Sequence, residues 1–232
     1  MLPPRGAAAR RTVGPVSTLD ETRVASALDR MYAESDQQMA TLHSRAGQFN
    51  HATATAQERA DALSDIYMPV TRDAGRLIYS LVRASRPHTV VEFGMSLGLS
   101  GIHLAAAVRD NGVGRVVTTE LSAAKIEAAK QNFAETGLDD LITVLAGDAL
   151  ETLRSVDAPI GFVLLDGWKE LYVPVLKLIE SKLSPGALIV ADNTSMDATQ
   201  PYLDYVRDKA NGYVSVSFPA RDSDSMEISC RA

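Results

Sequence analysis

The stretch FVLLDGWK, residues 162–169, is an apolar run of strand length that stops at an acid, Asp166. A second run of the same kind, ALIVADN at 187–193, stops at Asp192 and is followed at once by Asn193. In a parallel α/β sheet, ligands collect beyond the carboxyl ends of the strands. If these two strands are neighbours, Asp166, Asp192 and Asn193 converge as three oxygen donors. That is a hard-metal set, suited to Mg2+ with positions left open for water or substrate. Either acid alone is better explained as the cap of the helix that follows. Two together, with Asn193 and a nearby Lys169, favour the ligand reading.

Outward from these runs the pattern repeats. Strand 89–93 (TVVEF) leads to a helix over 98–109, and strand 115–119 (RVVTT) to one over 122–136. Strand 141–145 leads to a short helix near 149–155. Strands 161–165 and 187–191 lead to helices 170–183 and 198–210. Short strands at 213–218 and 225–230 close the chain. Five βα units in a row predict a doubly wound, Rossmann-like α/β fold with right-handed crossovers. The last pair adds as a partly antiparallel element, which makes a mostly parallel seven-stranded sheet.

The N-terminal third carries no strand signal. Thr18-Leu-Asp-Glu21 reads as a capping box. The helix it opens runs to about residue 44, with Val24, Leu28, Met31 and Met39 on one face. The Ala/Thr-rich stretch 45–56 breaks the pattern, and a short helix follows over 57–66. Pro69 fits the first position of a helix over 69–84 that ends before Pro87. The expected division is a disordered tail at 1–17, a helical cap region at 18–86 and the α/β core at 87–232. The apolar stripes at 18–66 need burial, over the active site or in a homodimer contact.

Composition narrows the class. With 232 residues the chain is long enough for one large α/β domain with a full core. Its 46% hydrophobic and 22% charged residues are ordinary for a soluble globular protein. A net charge of −6 argues against general nucleic-acid or anionic-membrane binding. The single cysteine, Cys230, excludes an internal disulfide framework and a cysteine-based metal site, and fits a reduced, cytoplasmic setting. No run reaches the length of a membrane span, and no secretory signal precedes the fold. The Pro-, Arg- and Ala-rich start leaves an organelle transit peptide as the alternative to a plain tail.

VVEFGMSLGLSG, residues 90–101, follows the first strand and opens the first helix of the core. Gly94 and Gly98 let the backbone approach a ligand that the helix N-terminal N–H groups face. A dinucleotide fingerprint would want glycine where Ser96 stands. Gly94-Met-Ser96-Leu-Gly98 also fits a nucleophile elbow, but a hydrolase triad needs a later histidine. The four histidines, at 43, 51, 88 and 103, all lie at or before the first βα unit. The third use of such a loop is S-adenosylmethionine binding. Glu120, at the end of the second strand, is placed to accept the ribose hydroxyls. Asp148, after the third, is placed to accept from the adenine amino group.

On these motifs (VVEFGMSLGLSG, TTELS, LLDGWKELYVP and LIVADN) the sequence resembles class I S-adenosylmethionine-dependent O-methyltransferases, in particular their catechol O-methyltransferase-like, metal-dependent branch. The likeness covers about 67–218, with a weaker match in DSMEIS. It implies cofactor contacts at Val70, Glu92, Gly94, Ser100, Glu120, Leu121, Asp148 and Ala149, with Asp166 and Trp168 at the methionine end. It implies Asp166, Asp192 and Asn193 as Mg2+ ligands and Lys169 as the base that takes the acceptor hydroxyl's proton. The mammalian catechol enzymes differ in carrying a His where Gly167 stands here. They also place a substrate-binding Glu before the final strand, where this chain offers Asp222 or Asp224.

The implied chemistry is coherent. A phenol, with a pKa of about 10, is mostly protonated at neutral pH. Chelation of two adjacent oxygens to Mg2+ favours the oxyanion. Methyl transfer from a sulfonium then needs alignment and exclusion of water. The expected acceptor is a small molecule with vicinal oxygens. Alternatives within the fold are a polyketide hydroxyl, a hydroxamate or a ring nitrogen; outside it stands a non-catalytic S-adenosylmethionine-binding protein.

Overall fold

The structure is a computed structural model that describes residues 17–46, 54–221 and 224–232. Residues 1–16 of the proposed tail, most of the 45–56 break and Asp222 lie outside them. Seven strands form one mixed sheet in the order β3-β2-β1-β4-β5-β7-β6. Their ranges are β1 Thr89–Phe93, β2 Arg115–Glu120, β3 Ile142–Ala146, β4 Ile160–Leu165, β5 Leu183–Ala191, β6 Tyr213–Arg221 and β7 Asp224–Arg231. The first five are parallel; β7 runs antiparallel between β5 and β6. The strand order reverses direction between β1 and β4, which makes their carboxyl ends the topological switch point where ligands bind in such sheets.

Helices cover both faces. On one side lie α1 (Thr22–Ala46), α3 (Arg72–Ser85), α4 (Leu99–Asn111) and α5 (Ala123–Thr136). On the other lie α6 (Ala149–Thr152), α7 (Tyr172–Ile179) and α8 (Gln200–Arg207). A short α2, Ala56–Ala62, precedes α3. Two buried clusters fill the spaces. One joins Val24, Leu28 and Met31 of α1 and Ile78 of α3 to Val90, Ile102, Phe133 and Leu164. The other joins Val91, Val163, Ile189, Tyr172, Leu176 and Tyr202. Each such side chain taken from water contributes about 1.5–3 kcal/mol. The apolar stripe of α1 is thus covered by the chain's own α4 and α5; the side chain of Met39 lies outside the description.

Several boundaries differ from the sequence reading. Thr18 opens a single 3-10 turn and makes no capping box, because its hydroxyl donates to Oδ1 of Asp110 in α4 at 2.6 Å. A capping box does form at α2, between Thr55 and Glu58. Pro69 precedes α3 rather than opening it: Thr71 is the cap, its side chain accepting from Ala74 N. Helices α7 and α8 are a turn or more shorter than expected, since 3-10 turns flank both. Strand β5 starts earlier, taking Pro185 and Gly186 into its exposed end.

Candidate active site

The register brings the two decisive runs together. Leu165 of β4 pairs with Ala191 of β5, and the next amide, Asp192 N–H, donates to Leu165 O at 3.0 Å. Asp166 and Asp192 therefore stand side by side at the switch point. Asp192 is buried, and the side chain of Asp166 is 12% exposed. Burial, opposed by Lys169 and reinforced by the charge of Asp192, pushes the Asp166 carboxyl up to about 7. Asn193 follows in the left-handed conformation, φ +56, a region asparagine tolerates better than most residues. Its amide nitrogen donates to Asp224 Oδ2 at 2.7 Å, which leaves the amide oxygen as its metal-type donor. Asp224 also accepts from the N–H groups of Ser195 and Ser225, so the start of β7 is stitched to the loop after β5.

Lys169 stands over these acids. Its ammonium donates to Asp166 Oδ1 at 3.1 Å and to the Tyr172 hydroxyl at 2.9 Å. Tyr172, wholly buried, donates in turn to the backbone oxygen of Asp192 at 3.0 Å. Burial first, then Asp166 and Asp192, raises this phenol well above its ordinary value and keeps it neutral. The Tyr172 hydroxyl is thus the second anchor of Lys169. The helical spacing of Lys169 and Tyr172 is the signal that could have shown this.

The glycine loop folds back onto β4. A side chain at Gly94, φ +96, would meet the backbone of Gly167 at 2.6 Å, and one at Gly167 would enter the ring of Phe93. Gly167 is thus required by packing. A side chain at Gly98, φ +91, would strike the ring of Phe133 at 2.6 Å. Both loop glycines therefore have a structural reason as well as any ligand's approach.

The predicted cofactor residues line the same end of the sheet. Glu120 accepts from the N–H groups of Ser96, Leu121 and Ser122, each at 2.9 Å. Glu92 is wholly buried beneath α4, bonded to Thr118 at 2.5 Å and to Ser100. Its Oε1 has no hydrogen-bond partner among the described residues. Ser100 is buried in the first turn of α4, and Val70 is buried just before α3. Asp148 is exposed and caps α6 through Leu150 N at 2.8 Å, with buried Ala149 next to it. Trp168 is covered by a group that nothing in the sequence announced: the Arg59 guanidinium of α2 lies 4.2 Å from its ring centroid and pairs with Glu170. A cavity of about 410 Å3 opens elsewhere, between α1, α5 and residues 64–67, away from the acids. Its lining mixes Arg30, Asp65, Tyr67 and Asn132 with Leu97 and Ala128.

Two carboxylates, an amide oxygen and a lysine at one strand-end cluster can hold a hard cation and manage a proton. Among the described residues no three His, Cys, Asp or Glu side chains form a metal group by themselves. Comparison with known proteins agrees with this architecture. A methyltransferase-domain family model matches residues 91–194. Pig catechol O-methyltransferase is 30% identical over 60% of this chain and 78% of its own length. A Mycobacterium tuberculosis protein named "Probable O-methyltransferase Rv1703c" is 28% identical over 87% of this chain and 85% of its own. The crystal structure of cofactor-bound Rv0187 from MTB superposes with a TM-score of 0.65 and 25% identity, over 82% of this chain and 95% of that one. The chain belongs to the class I O-methyltransferases, enzymes that take their methyl group from S-adenosylmethionine.

Proposed function

We propose that the enzyme moves a methyl group from S-adenosylmethionine to one hydroxyl of a small acceptor with vicinal oxygens, with Mg2+ held by Asp166, Asp192 and Asn193. The observation that carries this reading is the side-by-side placement of the two acids at adjacent strand ends, with Lys169 bonded to Asp166. The donor set fits the ion. All three atoms are oxygens, two of them on buried or nearly buried carboxylates whose mutual repulsion a divalent cation would relieve. When bound, such an ion favours the oxyanion of a chelating diol over its protonated form.

The chain's own residues do the rest. Lys169, held by Tyr172 and Asp166, is positioned to take the proton of the hydroxyl to be methylated. Glu120 and the loop 94–98 would hold the cofactor, which supplies the methyl group when bound. Trp168, under Arg59, walls the site and excludes water. Asp224, tied to Asn193, is the acid of the described residues that this reading assigns to a second acceptor hydroxyl. The test is methyl transfer to catechol and related vicinal diols, with and without EDTA. Turnover that stops on chelation and returns with Mg2+ is expected. Full turnover after exhaustive EDTA treatment would reduce the acids to a structural role, and methylation confined to acceptors with a lone hydroxyl or ring nitrogen would refute the vicinal-oxygen assignment.

A further inference from the structure

Lys125, in the first turn of α5, has no part in the mechanism above. Lysine is among the residues least often buried, yet Lys125 is 1% exposed. A lysine that merely packs its stem sends its head to water; this one sends it inward. The ammonium donates to Ser96 Oγ at 3.1 Å. Ser96 sits in the glycine loop in the left-handed region, φ +51, a conformation that a non-glycine residue holds only when its surroundings impose it. Its N–H donates to Glu120 Oε2 at 2.9 Å, the acid whose other oxygen is bound by Leu121 and Ser122. The charges of Glu120, of Asp65 in the segment between α2 and α3, and of Asp166 act on the ammonium and favour its charged form against burial. The lysine therefore links α5 to the glycine loop and, through the Ser96 N–H, to Glu120 at the end of β2.

We propose that Lys125 is a positioning residue of the cofactor site: through Ser96 it fixes the left-handed turn of the glycine loop and so directs the Glu120 carboxylate at the ribose hydroxyls. The inference rests on Glu120 as the ribose acceptor. It is independent of the metal and of the methyl acceptor, so it stands or falls apart from the choice of substrate. Lys125 reaches the cofactor only through Ser96 and Glu120, and its loss should be felt at the ribose.

The experiment is isothermal titration of metal-free protein with S-adenosylhomocysteine and with its 2′-deoxyribose analogue. Wild type should prefer the ribose form, and Glu120→Gln should abolish that preference. Lys125→Met, which keeps most of the unbranched stem and removes the charge, should weaken binding of the ribose form by about tenfold, as loss of a charge-assisted hydrogen bond does. It should also shrink the preference toward unity. Ser96→Ala should act in the same direction, and the double variant should be no worse than Lys125→Met, because the two residues form one chain of contacts. Unchanged affinity in Lys125→Met would overturn the proposal. So would weaker binding with the ribose preference intact, or effects of the two substitutions that add in full. If Lys125→Met does not fold, Ser96→Ala decides alone, and an undiminished ribose preference in it sinks the idea. A wild type without any ribose preference sinks it as well.

Discussion

Lys169 holds its place by two bonds to oxygens of different character, a carboxylate and a neutral phenol. That geometry aims the amine and keeps it beside the acids without burying it outright. As the general base it should be irreplaceable: Lys169→Ala is expected to lower kcat by roughly 10²–10⁴-fold, the usual range for a positioned proton acceptor. Lys169→Arg should be nearly as damaging, because a guanidinium keeps its proton at any working pH. Cofactor affinity should stay put in both. If both variants keep most of their kcat, the acceptor is ionised without the lysine. A second residue-scale expectation concerns Glu92. Burial pushes its carboxyl up to about 7, against hydrogen bonds from Ser100 and Thr118 that pull it down. A carboxyl whose folded value is raised binds its proton more tightly in the folded state. The stability it lends is present below the unfolded value and is lost as pH rises through about 7. Asp166 acts in the same window, while buried His103, held down at about 4, acts oppositely at lower pH. The difference between Glu92→Gln and wild type isolates Glu92 from both. The melting temperature of Glu92→Gln, measured without ligands, should gain on wild type between about pH 5 and about pH 8. A gap that stays constant with pH would mean that Glu92 does not titrate there.

Helix α2 shows what an element can and cannot declare in sequence. Thr18-Leu-Asp-Glu21 and Thr55-Ala-Gln-Glu58 carry the same capping signal. Only the second forms the box, because Asp110, 92 residues from Thr18, competes for the first threonine's hydroxyl and backbone N–H. Local chemistry cannot see that rival. The central strands β1 and β4 were legible for the opposite reason: their apolar runs are buried on both faces and end at the polar rim, so composition and boundary coincide. The acids at the ends of β4 and β5 were legible along with them, since neighbouring strands bring neighbouring ends together. Lys125 as a buried ammonium depends on packing that no spacing rule reports. The same holds for Arg59, which reaches Glu170 across 111 residues. Its guanidinium covers Trp168 and links α2 to the wall of the site. A desolvated cation over an indole is worth about 0.5–2 kcal/mol. Arg59→Ala should therefore raise KM for the acceptor by about 2–30-fold with little change in cofactor affinity. An unmoved acceptor KM in steady-state kinetics would leave α2 as packing alone.

At the scale of the molecule, the N-terminal helices and the sheet share one interior. Val24, Leu28, Met31 and Tyr32 of α1 lie in the same cluster as Val90, Ile102, Phe133 and Met226. Polar ties reinforce the seam. Thr18 and Tyr79 both donate to Asp110, and Arg30 reaches from α1 to Asn132 and Glu135 of α5. The exposed members of this set contribute little each, so the apolar contacts dominate. Four large side chains at about 1.5–3 kcal/mol apiece amount to roughly 6–12 kcal/mol, comparable to the whole stability of a domain. Removal of residues 1–66 should then do more than open the acceptor site. It should leave α4 and α5 with an uncovered apolar face, and the remainder should aggregate or lose fixed packing. It would also strip Arg59 from Trp168 and Asp65 from Lys125, so acceptor and cofactor contacts would go together. Soluble expression, size-exclusion behaviour and near-ultraviolet circular dichroism report on this directly. A truncated chain from about residue 67 that stays soluble, monomeric and fully active would show that the helices are a separable cover, and that the sheet with α3 to α8 carries the fold without them.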